Sequence, residues 1–197
     1  MNEFLARGCP VPDDAPSGDV ALRSAGLLAR NLEGEPFVWR ADETTRARAA
    51  RLVESAWSRS DGTEASALSL LDPLMRRVLA DRDAISDSYS HDPSGWIGWR
   101  AARSTWITSN ETDHVRVRCE RPGLDPEGVL AALEAEEDGL ARSLLWSFDG
   151  RFGFLGPDPS GIGHGIVLSV SLHLPALAMT LAVEREFHEA LAAGMEI

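Results

Sequence analysis

The chain has 197 residues, 44% of them hydrophobic, with a formal net charge of −12 and a pI near 4.8. That is enough apolar material for one sizeable core, whereas the acidic balance argues against a nucleic-acid backbone or an anionic membrane as partner, since both require a basic face. All nineteen basic residues are arginine, which excludes a Walker-type phosphate loop and Schiff-base chemistry on a lysine amine.

In chain order, residues 1–19 read as an irregular N-terminal arm, because Gly8 to Val20 is rich in proline and acid without periodicity. Met1 to Arg7 lacks the basic start and apolar run of a secretory signal, and no apolar stretch reaches the roughly eighteen residues of a membrane span. A cytoplasmic protein is the expectation, with Cys9 and Cys119 as reduced thiols. From Asp42, the residues Ala49, Leu52, Val53, Ala56 and Trp57 fall at helical spacing, and Ser60-Asp61-Gly62 supplies a stop. A second helix is expected across Ala65 to Leu79.

Between Trp96 and Arg121 β-branched and aromatic residues alternate, which predicts two strands joined by the polar Ser109 to Asp113 connection. The next helix has the clearest signals: Asp125 as N-cap, Pro126 in the first turn, and Val129, Leu133, Leu140 and Leu144 in one stripe. A turn is expected at Asp149-Gly150 between two short strands, and a further strand over Ile166 to Leu172. A last helix from near Pro175 is expected to turn Met179, Val183, Phe187 and Leu191 inward and to end at Gly194. Strands grouped with helices, without a βαβ rhythm, predict an α+β fold on an antiparallel β-sheet flanked by helices.

Two stretches carry a resemblance to a known family. Asn110-Glu111-Thr112-Asp113-His114-Val115-Arg116 and, further on, Gly153 to Gly165 resemble two motifs of the ATP:guanidino phosphotransferases, the family of creatine kinase, arginine kinase and the bacterial protein-arginine kinases. The motifs read Asn-Glu-Glu-Asp-His-x-Arg and Leu-Thr-x-Cys-Pro-(Thr/Ser)-Asn-x-Gly-Thr-Gly-x-Arg. Arg23 to Gly34 stands where the family has Ser-Ser-Arg-x-Arg-Leu-Ala-Arg-Asn; Leu28 to Asn31 match, and Ala25 and Leu27 replace two phosphate-binding arginines. Asp83 stands in place of a histidine, Asp158 in place of the reactive cysteine, Gly161 in place of an asparagine, and Val167 in place of a further phosphate-binding arginine. Thr112 replaces the glutamate that orients and deprotonates the guanidinium, and a hydroxyl cannot act as that base. Ser169 to Leu177 matches the bacterial branch closely.

The resemblance implies a partial guanidino-kinase-like catalytic domain over residues 20–197. It also implies a pseudoenzyme acting in binding or regulation, because positioning and cationic stabilisation are the main catalytic terms of phosphoryl transfer. The alternative is an active ATP:guanidino phosphotransferase acting on protein arginine, either alone or completed by a second chain. No catalytic residue is assigned, the base position being Thr112. Glu111, Asp113 and Asp158 are the substrate-binding candidates, Arg116 and His114 the nucleotide-binding ones. No metal is expected, and no cofactor, unless surviving family activity brings Mg-ATP. The expected partner is a protein or its arginine side chain, in a homo- or hetero-oligomer; nucleic acid and membrane are not expected. From the residues alone, Gly161, Gly163 and Gly165 read as a tight turn or an anion cradle, Asp158 as a surface turn residue or a guanidinium acceptor, and Glu134 to Asp138 as a solvated helix face.

Overall fold

A computed structural model describes residues 11–180 and 182–197, so Cys9 and the first ten residues of the expected arm lie outside the described residues. The chain begins its regular structure with β1 (Ala21–Arg30), followed by α1 (Glu43–Ser58), β2 (Glu64–Ala67), α2 (Pro73–Asp81), α3 (Asp87–Ser90), β3 (Trp96–Arg100), β4 (Thr105–Ser109) and β5 (Val115–Pro122). Then come α4 (Pro126–Ala141), the short β6 (Phe148–Asp149) and β7 (Gly153–Phe154), β8 (Ile166–Leu172), α5 (Pro175–Met179) and α6 (Val183–Ala192). Six strands make one sheet in the order β2-β3-β4-β5-β1-β8, every neighbour antiparallel. The expected α+β class and antiparallel sheet are found.

Alternation along β1 divides the sheet into two faces. Ser24, Gly26, Leu28 and Arg30 are buried on the side of α1 and α4, where Val53, Trp57, Ile107, Val117, Val129 and Leu133 form the main core. Removing a side chain such as Leu133 from water contributes about 1.5–3 kcal/mol, and its stripe is the one the sequence spacing predicts. Asp125 caps α4 by accepting the Gly128 N–H at 2.9 Å. On the opposite face, Leu79, Ile85 and Tyr89 from α2, α3 and their connection pack over Ile97, Trp99 and Trp106. That second layer covers the β3 and β4 side, and Arg23, Ala25, Leu27, Arg118 and Val167 of β1, β5 and β8 line an open cavity beside it.

Four expectations fail for physical reasons. Ala65 does not start a helix: Glu64–Ala67 pairs with Trp96–Trp99 as an edge strand, and the helix begins only at Pro73, where Asp72 accepts the Leu74 N–H at 2.8 Å. The single strand expected around Trp99 to Trp106 is a hairpin of β3 and β4, folded over by Ala101–Arg103 and by Ser104 at φ 47°. The last helix is broken after Met179, and its apolar stripe does not turn inward, since Met179, Phe187 and Leu191 are 85%, 38% and 56% exposed. Nor is Glu134 to Asp138 wholly solvated: Glu136 is buried and pairs with Arg100 at 3.2 Å, and Glu137 pairs with Arg30. The interior strand β1 carries no clear strand signal, because Gly26 and Arg30 break its apolar pattern.

Gly26 lets α4 lie directly on the sheet. A Cβ there would sit 2.6 Å from Val129 Cγ1 and 2.7 Å from Leu133 Cδ1. Gly26→Ala is therefore expected to destabilise the protein by about 1–3 kcal/mol through overpacking, measured by urea unfolding; unchanged stability would show that α4 is not held where this packing requires.

Candidate functional site

The acidic motif occupies the turn from β4 to β5, and its carboxylates face inward. Glu111 accepts hydrogen bonds from the Ser86 N–H at 2.9 Å, Thr108 Oγ1 at 2.8 Å and the Arg116 guanidinium at 3.0 Å, with Arg118 3.6 Å away. Burial raises its pKa, yet Arg118, Arg116 and the two hydrogen bonds outweigh burial and leave it below the ordinary carboxylate value. Asp113 accepts from Asn31 Nδ2 at 2.8 Å, and there burial dominates and pushes the pKa up. Thr112 is exposed at the tip of the turn.

His114 is fully buried, and its Nδ1 accepts the Leu32 N–H at 3.2 Å. That bond places the ring proton on Nε2 in the neutral form. Expected on a nucleotide, His114 presents no surface to one; it anchors the turn to the end of β1. Asn31 completes the anchor. Its Oδ1 accepts the His114 N–H at 3.1 Å, and its Nδ2 also donates to the Leu155 carbonyl at 3.1 Å, so one amide ties β1, the acidic turn and the glycine-rich segment.

Arg30 holds that segment from the other side. It is 2% exposed, its guanidinium forks onto Glu137 of α4 at 2.5 and 2.9 Å, donates to the His164 carbonyl at 2.8 Å, and lies 3.6 Å over the Phe154 ring. A Cβ on Gly165, which stands at φ 60°, would lie 2.7 Å from Arg30 Nη1. The glycine there is required by this close approach and by its left-handed backbone. Asp158 is exposed in the turn that precedes it, its carbonyl accepting the Gly161 N–H at 3.0 Å. Glu111 and Asp113 thus spend their carboxylates on internal partners, and of the three expected substrate carboxylates only Asp158 lies at the surface.

Ala25, Leu27 and Val167 converge. They line one cavity of about 200 Å³ on the open face, together with Trp106, Ser169, Arg23, Arg82, Arg118, Asp83 and Glu120. Three guanidinium groups therefore remain at the cavity, none of them at the three replaced positions. Each is already engaged: Arg23 and Arg82 on Glu120, Arg118 on the Ala84 carbonyl at 2.7 Å. Sequence reasoning gave no role to Arg23, the first residue of a matched segment, or to Arg82 and Glu120, and the three meet only through the β1–β5 register and the end of α2.

A family model described as the ATP:guanido phosphotransferase C-terminal catalytic domain matches residues 45–197. Among curated relatives, the protein-arginine kinase of Pelotomaculum thermopropionicum is 31% identical over 173 residues, covering 84% of this chain and 49% of that protein. That of Geobacillus kaustophilus is 32% identical over 181 residues, covering 89% and 50%. The chain spans about half the length of these curated relatives. Two solved structures share the fold. The duplicated taurocyamine kinase from Schistosoma mansoni with bound transition-state-analogue components has a TM-score of 0.77 at 19% identity, covering 92% of this chain and 27% of that one. Lombricine kinase gives a TM-score of 0.70 at 19% identity, covering 90% and 58%.

Burial holds the His114 pKa below its ordinary 6.5, against the opposing pull of the Pro36 carbonyl and the Glu35 and Asp113 carboxylates. A depressed folded pKa makes the stability contribution complete above the unfolded value and lost as pH falls through the folded one. Stability is therefore expected to decline from pH 6.5 toward pH 5, before most carboxylates titrate, and His114→Gln should flatten that decline. Denaturant midpoints across this interval measure it; an equal slope in both proteins would place the titration elsewhere.

Proposed function

We propose a function from one premise: the chain belongs to the ATP:guanido phosphotransferase family. On this proposal it is a non-phosphorylating member that acts by binding or regulation, with residues 20–197 as its guanidino-kinase-like unit. The observation that carries the reading is the convergence of Ala25, Leu27 and Val167 on one cavity. In the family resemblance these positions carry phosphate-binding arginines. Their replacement removes cationic stabilisation of the transferring group, and Thr112 removes the base.

Mg-ATP fits the residues poorly. Nucleotide phosphates need positive charge that is not already spent, whereas Arg23 and Arg82 converge on Glu120, and Arg116 on Glu111. Among the described residues there is no cluster of three or more His, Cys, Asp or Glu that could hold a metal. Arg116 is thereby proposed to organise Glu111 and not a nucleotide.

The proposed partner is a protein that presents an arginine. Asp158, exposed and next to the segment held by Arg30, is the carboxylate able to accept a guanidinium fork. Glu111 and Asp113 contribute field and scaffold more than direct contact. The acidic net charge favours such a partner over nucleic acid. Among the described residues no helix is long and apolar enough to cross a membrane.

A second reading, an active phosphotransferase completed by another chain, is favoured by one observation. β8 is one edge of the sheet, and its Val167, Leu168 and Leu172 are 61%, 41% and 51% exposed, as is much of the apolar stripe of α6. Unpaired apolar edges are surfaces that proteins ordinarily cover.

Incubated with Mg-ATP and an arginine-rich protein, the chain is expected to form no phosphoarginine detectable by ³¹P NMR; turnover above the enzyme-free control would overturn the first reading. Turnover only after addition of the unmatched half of a relative would establish the second. For the partner, Asp158→Asn is expected to weaken binding of an arginine-bearing peptide by about tenfold. Unchanged affinity in fluorescence titration would remove Asp158 from the interface.

A further inference from the structure

The cavity on the open face is built around a carboxylate. Glu120 on β5 is the cross-strand partner of Ala25 on β1, which in turn faces Ser169 on β8. Its side chain is 3% exposed, and two guanidinium groups from different elements close on its two oxygens. Arg23 Nη1, from β1, donates to Oε2 at 3.0 Å, and Arg82 Nη2, from the C-cap of α2, donates to Oε1 at 2.7 Å. Arg23 also reaches Asp83 at 3.2 Å, and Asp83 is held at φ 57°, a left-handed conformation uncommon outside glycine. Around this group the walls are Ala25, Leu27, Val167 and Trp106.

Two arginines converging on the oxygens of one buried anion is the arrangement by which guanidinium groups receive a phosphate or carboxylate ligand. Here the anion is covalently part of the chain. We propose that Glu120 is an internal ligand: it occupies the oxyanion position of the cavity and closes it to phosphate-bearing molecules. Specificity against nucleotides is then set by this side chain as well as by the replaced arginines, and the cavity is a latent oxyanion site. The assignment rests on reading the cavity as one that no longer serves a nucleotide. It deepens that reading, because it names a residue whose charge excludes the ligand and predicts that neutralising it creates an affinity.

The test uses the whole chain, the near-isosteric Glu120→Gln, and inorganic phosphate as probe, with chloride at matched ionic strength as control. Wild type is expected to give no calorimetric signal at millimolar phosphate and no change in thermal midpoint. Glu120→Gln leaves two guanidinium groups facing each other, so it should unfold at lower temperature in chloride, be restored by phosphate, and bind phosphate at least tenfold more tightly than wild type. Adding Arg23→Gln to that variant should abolish the gain. If Glu120→Gln does not fold in chloride, phosphate should return its folded circular dichroism spectrum, and failure to do so overturns the proposal. A folded Glu120→Gln that ignores phosphate, or a wild type that binds it equally well, also overturns it. Phosphoarginine formation by the wild type would refute the non-phosphorylating reading and leave this result to be judged separately, since the two experiments use different proteins and different ligands.

Discussion

A guanidinium taken out of water must be met by a carboxylate or a set of carbonyls, because an unpaired buried charge costs several kcal/mol. This chain contains no lysine, whose charge could be neutralised by a lowered pKa, so its buried cations are arginines that stay charged. The consequence runs through the whole molecule. Arg30 meets Glu137, Arg100 meets Glu136, Arg116 and Arg118 share Glu111, and Arg23 and Arg82 share Glu120. All but the Glu111 pairing join elements distant in sequence. The first two dock α4 against β1 and β3; the third folds the β4 to β5 turn onto its own strand; the last ties the end of α2 across β5 to β1.

The same matching that orders the fold sets what the open face can do. A phosphate site needs cations with capacity to spare, and a guanidinium site needs carboxylates in the same condition. On the proposed reading, the cavity of this chain offers neither in quantity, having balanced its own charges, and recognition passes to the exposed Asp158 of the glycine-rich segment. The scaffold that would position a substrate remains well built. Asn31, His114 and Arg30 hold the acidic turn and the glycine-rich segment to the end of β1 through buried hydrogen bonds and a bidentate ion pair.

The parts of this arrangement that depend on local signals were legible in the sequence. Asp125-Pro126 announces α4, the alternation over Val115 to Cys119 gives β5, and Asp149-Gly150 marks the turn between β6 and β7. What depends on pairing at long range was not. The Glu64–Ala67 segment has no strand-forming residue type, and only the partner Trp96–Trp99 makes it one. The apolar stripe of α6 is a true amphipathic pattern, but periodicity says which face is apolar and not whether anything covers it. At the site, the motif residues Asn31, Asp113 and His114 did meet, whereas Glu120 gave no signal at all. Its meaning comes from standing beside Ala25 in the β1–β5 register and from Arg82 arriving off the end of α2.

The claim that the arginines of the open face are engaged by the chain's own carboxylates and carbonyls is tested most directly at their side chains. Arginine Nε–H resonances of the ¹⁵N-labelled protein can be followed by NMR through a titration with Mg-ATP. The account predicts that the signals of Arg23, Arg82, Arg116 and Arg118 stay in place up to millimolar nucleotide. Saturable shifts of these four signals at micromolar nucleotide would contradict it.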